Sequence, residues 1–294
     1  MGVGSLEVAS YEAEEESGRG PPDGVSPRPF ADNSRTPVWP AAQTLSTTSS
    51  APQASSHSAM KNKQICVLGG TGFVGHHLLP ALSEAGYRCR VPLRRPERHR
   101  DLRLVPGCSV HVLPDWGLDA LRESLADCGT LINLVGILNE GSGRTFEQTH
   151  VTLVQTALEA ARSAGVGRYL HMSALNADAD AGPSQYLRTK GRGEALAHAA
   201  ADQGLAVTSF RPSVIFGPGD SFFNRFAGLL RSVPGPFPLA CPRARFAPVY
   251  VGDVVQALVR CLERADTVGR SYELCGPRTF TLKELVEYTG HRLG

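Results

Sequence analysis

The chain has 294 residues and a formal net charge of +2, room for one large α/β domain or two small ones, and neither its charge nor any aromatic-interleaved basic patch points to nucleic acid. Its seven cysteines are odd in number, scattered and never in C-x-x-C spacing, which argues against a disulfide scaffold and a zinc site and for reduced thiols in a cytosol-like compartment. No run of eighteen apolar residues suggests a membrane span, and an N-terminus with Glu12, Glu14, Glu15 and Glu16 and no apolar stretch does not read as a signal or transit peptide.

Residues 1–59 are rich in Ser, Pro, Gly and Ala, with sparse apolar residues in no period. Such a segment buries too little surface to offset its ordering entropy, so a disordered extension is expected there and the folded unit over 60–294. Ile65 to Leu68 is a short apolar run that suits a central parallel strand. Gly69, Gly72 and Gly75 follow in G-x-x-G-x-x-G spacing, and Val74, Leu78 and Leu82 then recur at helical spacing. Strand, glycine turn and helix together can cradle a pyrophosphate. Gly69 permits a tight turn, Gly72 lets a phosphate approach the main chain, and Gly75 lets the helix lie close to the strand. The N–H groups of the first helical turn then face the phosphates. Thr71, Phe73 and Val74 belong to the same turn and are counted with the glycines as cofactor contacts.

Arg88 to Leu93 reads as the second strand and ends in Arg94 and Arg95. An NAD site usually carries an acid here for the ribose 2′-hydroxyl. Arginines suit a 2′-phosphate, so NADP(H) is favoured over NAD(H), the alternative being a solvated basic loop. Ser109 to Leu113 reads as the third strand. Asp115 after it is either an adenine-side contact or an acid at a helix entry. Leu118, Leu121 and Leu125 mark the next helix, and Thr130 to Leu138 the fourth strand, whose Val135 and Gly136 are expected to pass under the cofactor. A helical period runs from Phe146 to Ala164, and strands follow at Arg168–Met172 and Val207–Arg211. The alternation predicts an α/β fold, a Rossmann-type doubly wound parallel sheet. Residues 212–250 are rich in Pro, Gly, Phe and Arg, with one helix near 221–232, and read as a small C-terminal substrate lobe. A helix over 253–264, a strand over 271–274 and a helix from Thr281 complete the pattern.

The chemistry falls on Tyr186 and Lys190, one helical turn apart on one face, with Ser173 at the end of the fifth strand. Tyr186 suits general acid or base work on a hydroxyl or carbonyl. Lys190 would lower the Tyr186 pKa and hold the nicotinamide ribose, and Ser173 would hydrogen-bond the reacting oxygen. His76, His77 and His171 are not expected to have a chemical role, and no histidine pair has metal-ligand spacing.

Together GGTGFVG, the Tyr186/Lys190 pair, RPSVIFGPGD (211–220) and FAPVYVGDVV (246–255) resemble the short-chain dehydrogenase/reductase superfamily, in its extended or atypical branch. INLVGIL, YLRTKGRGE and GDSFFNRFA are similar to the family of NADPH-binding accessory subunits of respiratory complex I and their bacterial relatives. The resemblance implies that Pro212 and Val214 sit near the nicotinamide and that Asp253 caps a helix beside the substrate cleft. It also implies more lobe chain beyond Gly294. It implies one of two functions. The first is an NADP(H)-dependent oxidoreductase or an epimerase/dehydratase-like enzyme acting on a small molecule. The alternative is a non-catalytic NADPH-binding protein that docks on a membrane complex, cytoplasmic or peripheral to the inner membrane. In the complex I subunits the Tyr and Lys persist although the role is held to be structural, so the pair speaks for cofactor binding before turnover.

Overall fold

A computed structural model describes residues 63–141, 143–232 and 239–293; the extension expected over 1–59 lies outside them. Strand β1 (Gln64–Leu68) is buried along its whole length. Ile65 and Val67 enter one apolar cluster, and Cys66 and Leu68 enter another. Successive strand residues point to opposite faces, so a strand apolar at every position fits only between two layers.

Parallel to β1 lie β2 (Arg88–Leu93) and β4 (Thr130–Asn133). Beyond them come β3 (Cys108–Val112) on one side, and β5 (Arg168–Met172), β6 (Ala206–Pro212) and β10 (Arg270–Leu274) on the other. The seven-stranded sheet thus runs β3-β2-β1-β4-β5-β6-β10, all parallel. Strand order reverses between β1 and β4, which opens a crevice at their C-terminal ends. This is the doubly wound Rossmann-type fold that the alternation predicts. Helices α1 (Phe73–Glu84) and α6 (Val251–Cys261) cover one face through Leu78, Leu82, Val254 and Leu258. Helices α2 (Leu118–Ser124), α3 (Leu153–Ser163) and α4 (Gln185–Ala199) cover the other.

Two elements depart from the sequence expectation. Strand β4 stops at Asn133 rather than Leu138. Its partner β1 ends at Leu68, so Leu134 N makes the last bond, to Leu68 O. The Asn133 side chain then accepts from Val135 N at 3.0 Å and turns the chain. The helix expected over 146–164 opens with a π-helical segment, Gln148–Thr152. Such wide turns cluster at functional sites.

After β6 the chain builds small pieces. β7 (Ile215–Phe216) pairs in parallel with β9 (Val249–Tyr250), and β8 (Arg245–Phe246) pairs antiparallel with β11 (Phe280–Thr281). Helices α5 (Phe222–Ser232) and α7 (Leu282–Leu293) join a minor core of Phe226, Ala244, Leu282 and Val286. Among the described residues no helix is long and apolar enough to cross a membrane.

Candidate functional site

The glycine turn between β1 and α1 is built for close approach. Gly69 has φ +78°, the left-handed region that favours glycine. A Cβ at Gly69 would stand 3.0 Å from Leu134 C and Val135 N, so the turn lies against the end of β4. Gly72 N donates to Gly69 O at 2.9 Å. A Cβ on Gly72 would meet only the Gly69 carbonyl, at 3.2 Å. Gly75 is tighter: a Cβ there would come within 2.6 Å of Gly70 Cα and closer still to its carbonyl. Its glycine is demanded by the turn's own backbone more than by the strand. No side chain caps α1, and its first turn holds no acid. The amides of Phe73, Val74 and Gly75, next to Thr71, are the first of α1 and have no intrahelical partner, the arrangement that suits an anion at a helix start. His76 and His77 brace this turn. His76 bonds Gly72 O and Asp101, both at 2.9 Å, and His77 donates to Pro218 O at 3.0 Å in the lobe.

Helix α4 carries Tyr186 and Lys190. Ser184 caps it by accepting from Leu187 N at 3.2 Å. Lys190 is only 4 % exposed, and its Nζ donates to Met172 O at 2.6 Å. A Cβ on Gly136 would lie 3.6 Å from Lys190 Nζ and 3.7 Å from His150 Nε2. Lysine, Gly136 loop and Gly69 turn thus converge where the crevice opens. Tyr186 stands edge-on to Phe146 and His150, with ring centroids 5.8 Å and 5.4 Å away. Burial lowers the Lys190 pKa to about 8, against the opposing pull of Glu194. Burial raises the Tyr186 phenol to about 12. The sequence expectation had Lys190 lowering Tyr186. The lysine's ammonium is directed at the Met172 carbonyl, and desolvation of the half-buried Tyr186 ring pulls its phenol upward.

The remaining expected residues spread around this centre. Ser173 follows β5 and is 3 % exposed. Pro212 O, at the end of β6, accepts from Leu175 N at 2.9 Å, and Val214 O accepts from Val249 N at 2.9 Å. These bonds tie the segment after Ser173 to the start of the lobe. Arg94 and Arg95 are exposed beyond β2. Asp115 Oδ1 accepts from Gly117 N at 2.6 Å, and Gly117 is the N-cap of α2, which fits the helix-entry alternative for this acid. Asp253 lies exposed in the first turn of α6.

Sequence reasoning missed two buried groups. Glu194 continues the Tyr186/Lys190 face one turn on, and that spacing was its available signal. Its carboxylate accepts from Arg211 Nε, 3.0 Å to each oxygen, and from Ser271 Oγ. Burial opposes its charge, but Arg211, Ser173 and Ser271 together hold its pKa below the usual carboxylate value. The Ser173 hydroxyl exerts this pull without completing a well-formed hydrogen bond. His150 is the second, and no spacing announced it. Burial and the Lys190 charge push its pKa down to about 3.

With this geometry in view, comparisons with known proteins agree on its class. The sequence profile of the NAD dependent epimerase/dehydratase family matches residues 65–275. The chain is 30% identical over 226 residues to the mouse (Mus musculus) protein NADH dehydrogenase [ubiquinone] 1 alpha subcomplex subunit 9, mitochondrial, covering 76% of this chain and 59% of that one. It is 32% identical over 199 residues to a ceramide reductase of Caulobacter vibrioides, covering 66% of this chain and 59% of that protein. It therefore spans only some three-fifths of these relatives. Among solved structures, MoeE5 in complex with UDP-glucose and NAD superposes with a TM-score of 0.63 at 25% identity, covering 78% of this chain and 81% of that one. The fold, the glycine turn and the matched span lead to one statement: the chain belongs to the NAD dependent epimerase/dehydratase family.

Proposed function

We propose that the chain binds NADP(H) across the C-terminal ends of β1, β4 and β5 and acts as an oxidoreductase on a carbonyl or hydroxyl compound. The observation that carries this reading is the convergence of Lys190 Nζ, Gly136 and the Gly69 turn. The residues fit a dinucleotide: an uncapped helix start for the pyrophosphate, an exposed glycine for the ring system and a lysine for the ribose. The cofactor supplies the hydride. Tyr186 holds a proton on its phenol, since burial keeps its pKa near 12, and gives that proton to the oxygen of a carbonyl being reduced. Lys190 hydrogen-bonds the ribose hydroxyls, and Ser173 orients the substrate oxygen. Arg94 and Arg95 take the 2′-phosphate. Because the Caulobacter relative is named a ceramide reductase, long-chain keto compounds come first in the assay.

A second reading rests on the likeness to the mouse complex I subunit. In it the chain holds NADPH without turnover and docks on a membrane complex. Calorimetry with NADPH, then an assay of NADPH consumption, separates the two. Turnover with any carbonyl compound supports the first; tight binding, no turnover and copurification with a membrane partner support the second. Gly72→Val should abolish nucleotide binding while leaving the fold intact, and unchanged affinity would remove this turn from the cofactor site.

A further inference from the structure

The π-helical segment before α3 packs unusually closely against α4 beneath the Gly136 loop. A Cβ on Gly193 of α4 would collide with the His150 carbonyl. That approach, together with the π-helical turn, delivers the His150 ring to the space between the loop after β4 and the turn carrying Tyr186. The ring is 2 % exposed, stacks on Phe146 at 5.5 Å and bonds at both nitrogens. Ile137 N donates to His150 Nε2 at 3.1 Å. A backbone N–H can only donate, so Nε2 must be the bare nitrogen. His150 Nδ1 therefore carries the proton and donates to Thr189 Oγ1 at 3.0 Å. The Thr189 hydroxyl donates in turn to Tyr186 O at 2.9 Å.

The donors all run one way, from the Gly136–Ile137 loop, through imidazole and hydroxyl, to the backbone of Tyr186. We infer that His150 is a positioning residue: a neutral Nδ1–H imidazole that, with Thr189, fixes the distance between the floor under the cofactor and the Tyr186/Lys190 helix. This rests on the nucleotide-binding reading above. A protonated ring would set an N–H against the Ile137 N–H, so the device works only neutral. Lys190, Tyr186 and His171 are the titratable groups around it, and the Lys190 charge opposes protonation of the ring. The low pKa agrees.

Imidazole 15N NMR on the native chain, with NADPH calorimetry and amide exchange on variants, tests this. The native spectrum should show the neutral Nδ1–H tautomer of His150 from about pH 5 to 8, the span in which an unperturbed histidine titrates. Thr189→Val removes one hydroxyl and keeps the shape. It should lose the single tautomer, speed exchange at Ile137 N and weaken NADPH about tenfold, the cost of leaving buried polar groups unpaired. His150→Asn, which keeps an acceptor, should bind NADPH more tightly than His150→Leu even where both melt at the same temperature. An Nε2–H tautomer, a ring that titrates in that range, or native NADPH affinity in Thr189→Val would overturn the inference. A native chain that bound neither NADPH nor NADH would instead sink the cofactor reading and the positioning role with it, while the tautomer would still report on the bond chain.

Discussion

The β1–α1–β2 half of the crevice and the β5–α4–β6 half are made by different means. Around β1 the interior is hydrocarbon: Ile65, Val67, Leu78, Leu79, Leu82 and Val91 are all fully buried. On the proposed function the working parts there are backbone amides, and the residues beside them are glycines. Beneath α4 the interior is polar. Thr189, Lys190, Glu194, His171 and Ser209 are buried there, supported by Arg211 and Ser271. The first half is limited by space alone; the second, close-packed as well at Gly193, must also meet the free energy of burying charge. Each limit predicts its own response to mutation.

The largest effect is expected where space is limiting. In Gly75→Ala the new methyl meets Gly70 main chain, which has no rotamer to yield. Overpacking of this kind should cost about 3 kcal/mol, read as a lowered midpoint in urea with unchanged slope. A loss below roughly 1 kcal/mol would mean that the turn can spread, and the contrast between the halves would weaken.

Where charge is limiting, the sign should reverse. Burial lowers the folded pKa of Lys190 to about 8, below the ordinary lysine value of 10.5. The folded protein thus resists the lysine's proton more than the unfolded chain does. Between those two values the unfolded chain binds more protons, so the native protein gains stability as pH rises through that window. Below about pH 8 the charged lysine imposes its full penalty, on the order of 3 kcal/mol. Lys190→Met removes the penalty and leaves Met172 O unpaired, a loss of about 1–2 kcal/mol. The variant should be more stable than the native chain by roughly 1–2 kcal/mol near pH 7, with the gain fading towards pH 10, while NADPH binding falls away. Chemical denaturation at three pH values would check this, and a less stable variant would show that the ammonium holds the fold together.

The same division explains what the sequence disclosed. Glycine spacing and apolar runs are local patterns, so the β1–α1 turn and all seven strands of the sheet were readable, β4 only as to its start. Tyr186 and Lys190 were readable because one helical turn relates them. His150 was not, because its partners, Ile137 and Thr189, lie 13 and 39 residues away and meet it only after folding. Glu194 had the helical spacing, but its pairing with Arg211 depends on β6 lying under α4. The upward pull of desolvation on the Tyr186 phenol was not legible, because spacing reports a neighbouring charge and says nothing of burial.

The smallest effect concerns the outer end of the first half, where the rule of crowding gives way to open solvent. Arg94 and Arg95 stand exposed beyond β2, and the next acid in the chain is Glu97. A guanidinium there would make paired, charge-assisted bonds to a 2′-phosphate, whereas an unphosphorylated ribose would leave it to water. Because the site is exposed, the lower end of such a contact applies, about 1.4 kcal/mol, which is tenfold in affinity. NADPH should therefore bind about tenfold more tightly than NADH, and Arg94→Ala should remove most of that gap while changing NADH affinity little. Added salt should narrow the gap too, since the Debye length falls from about 10 Å at 0.1 M to about 3 Å at 1 M. Gly75 and Lys190 are shielded from that screening by burial, so their effects should persist in salt. Equal affinity for the two nucleotides in the native chain would return Arg94 and Arg95 to a solvated loop.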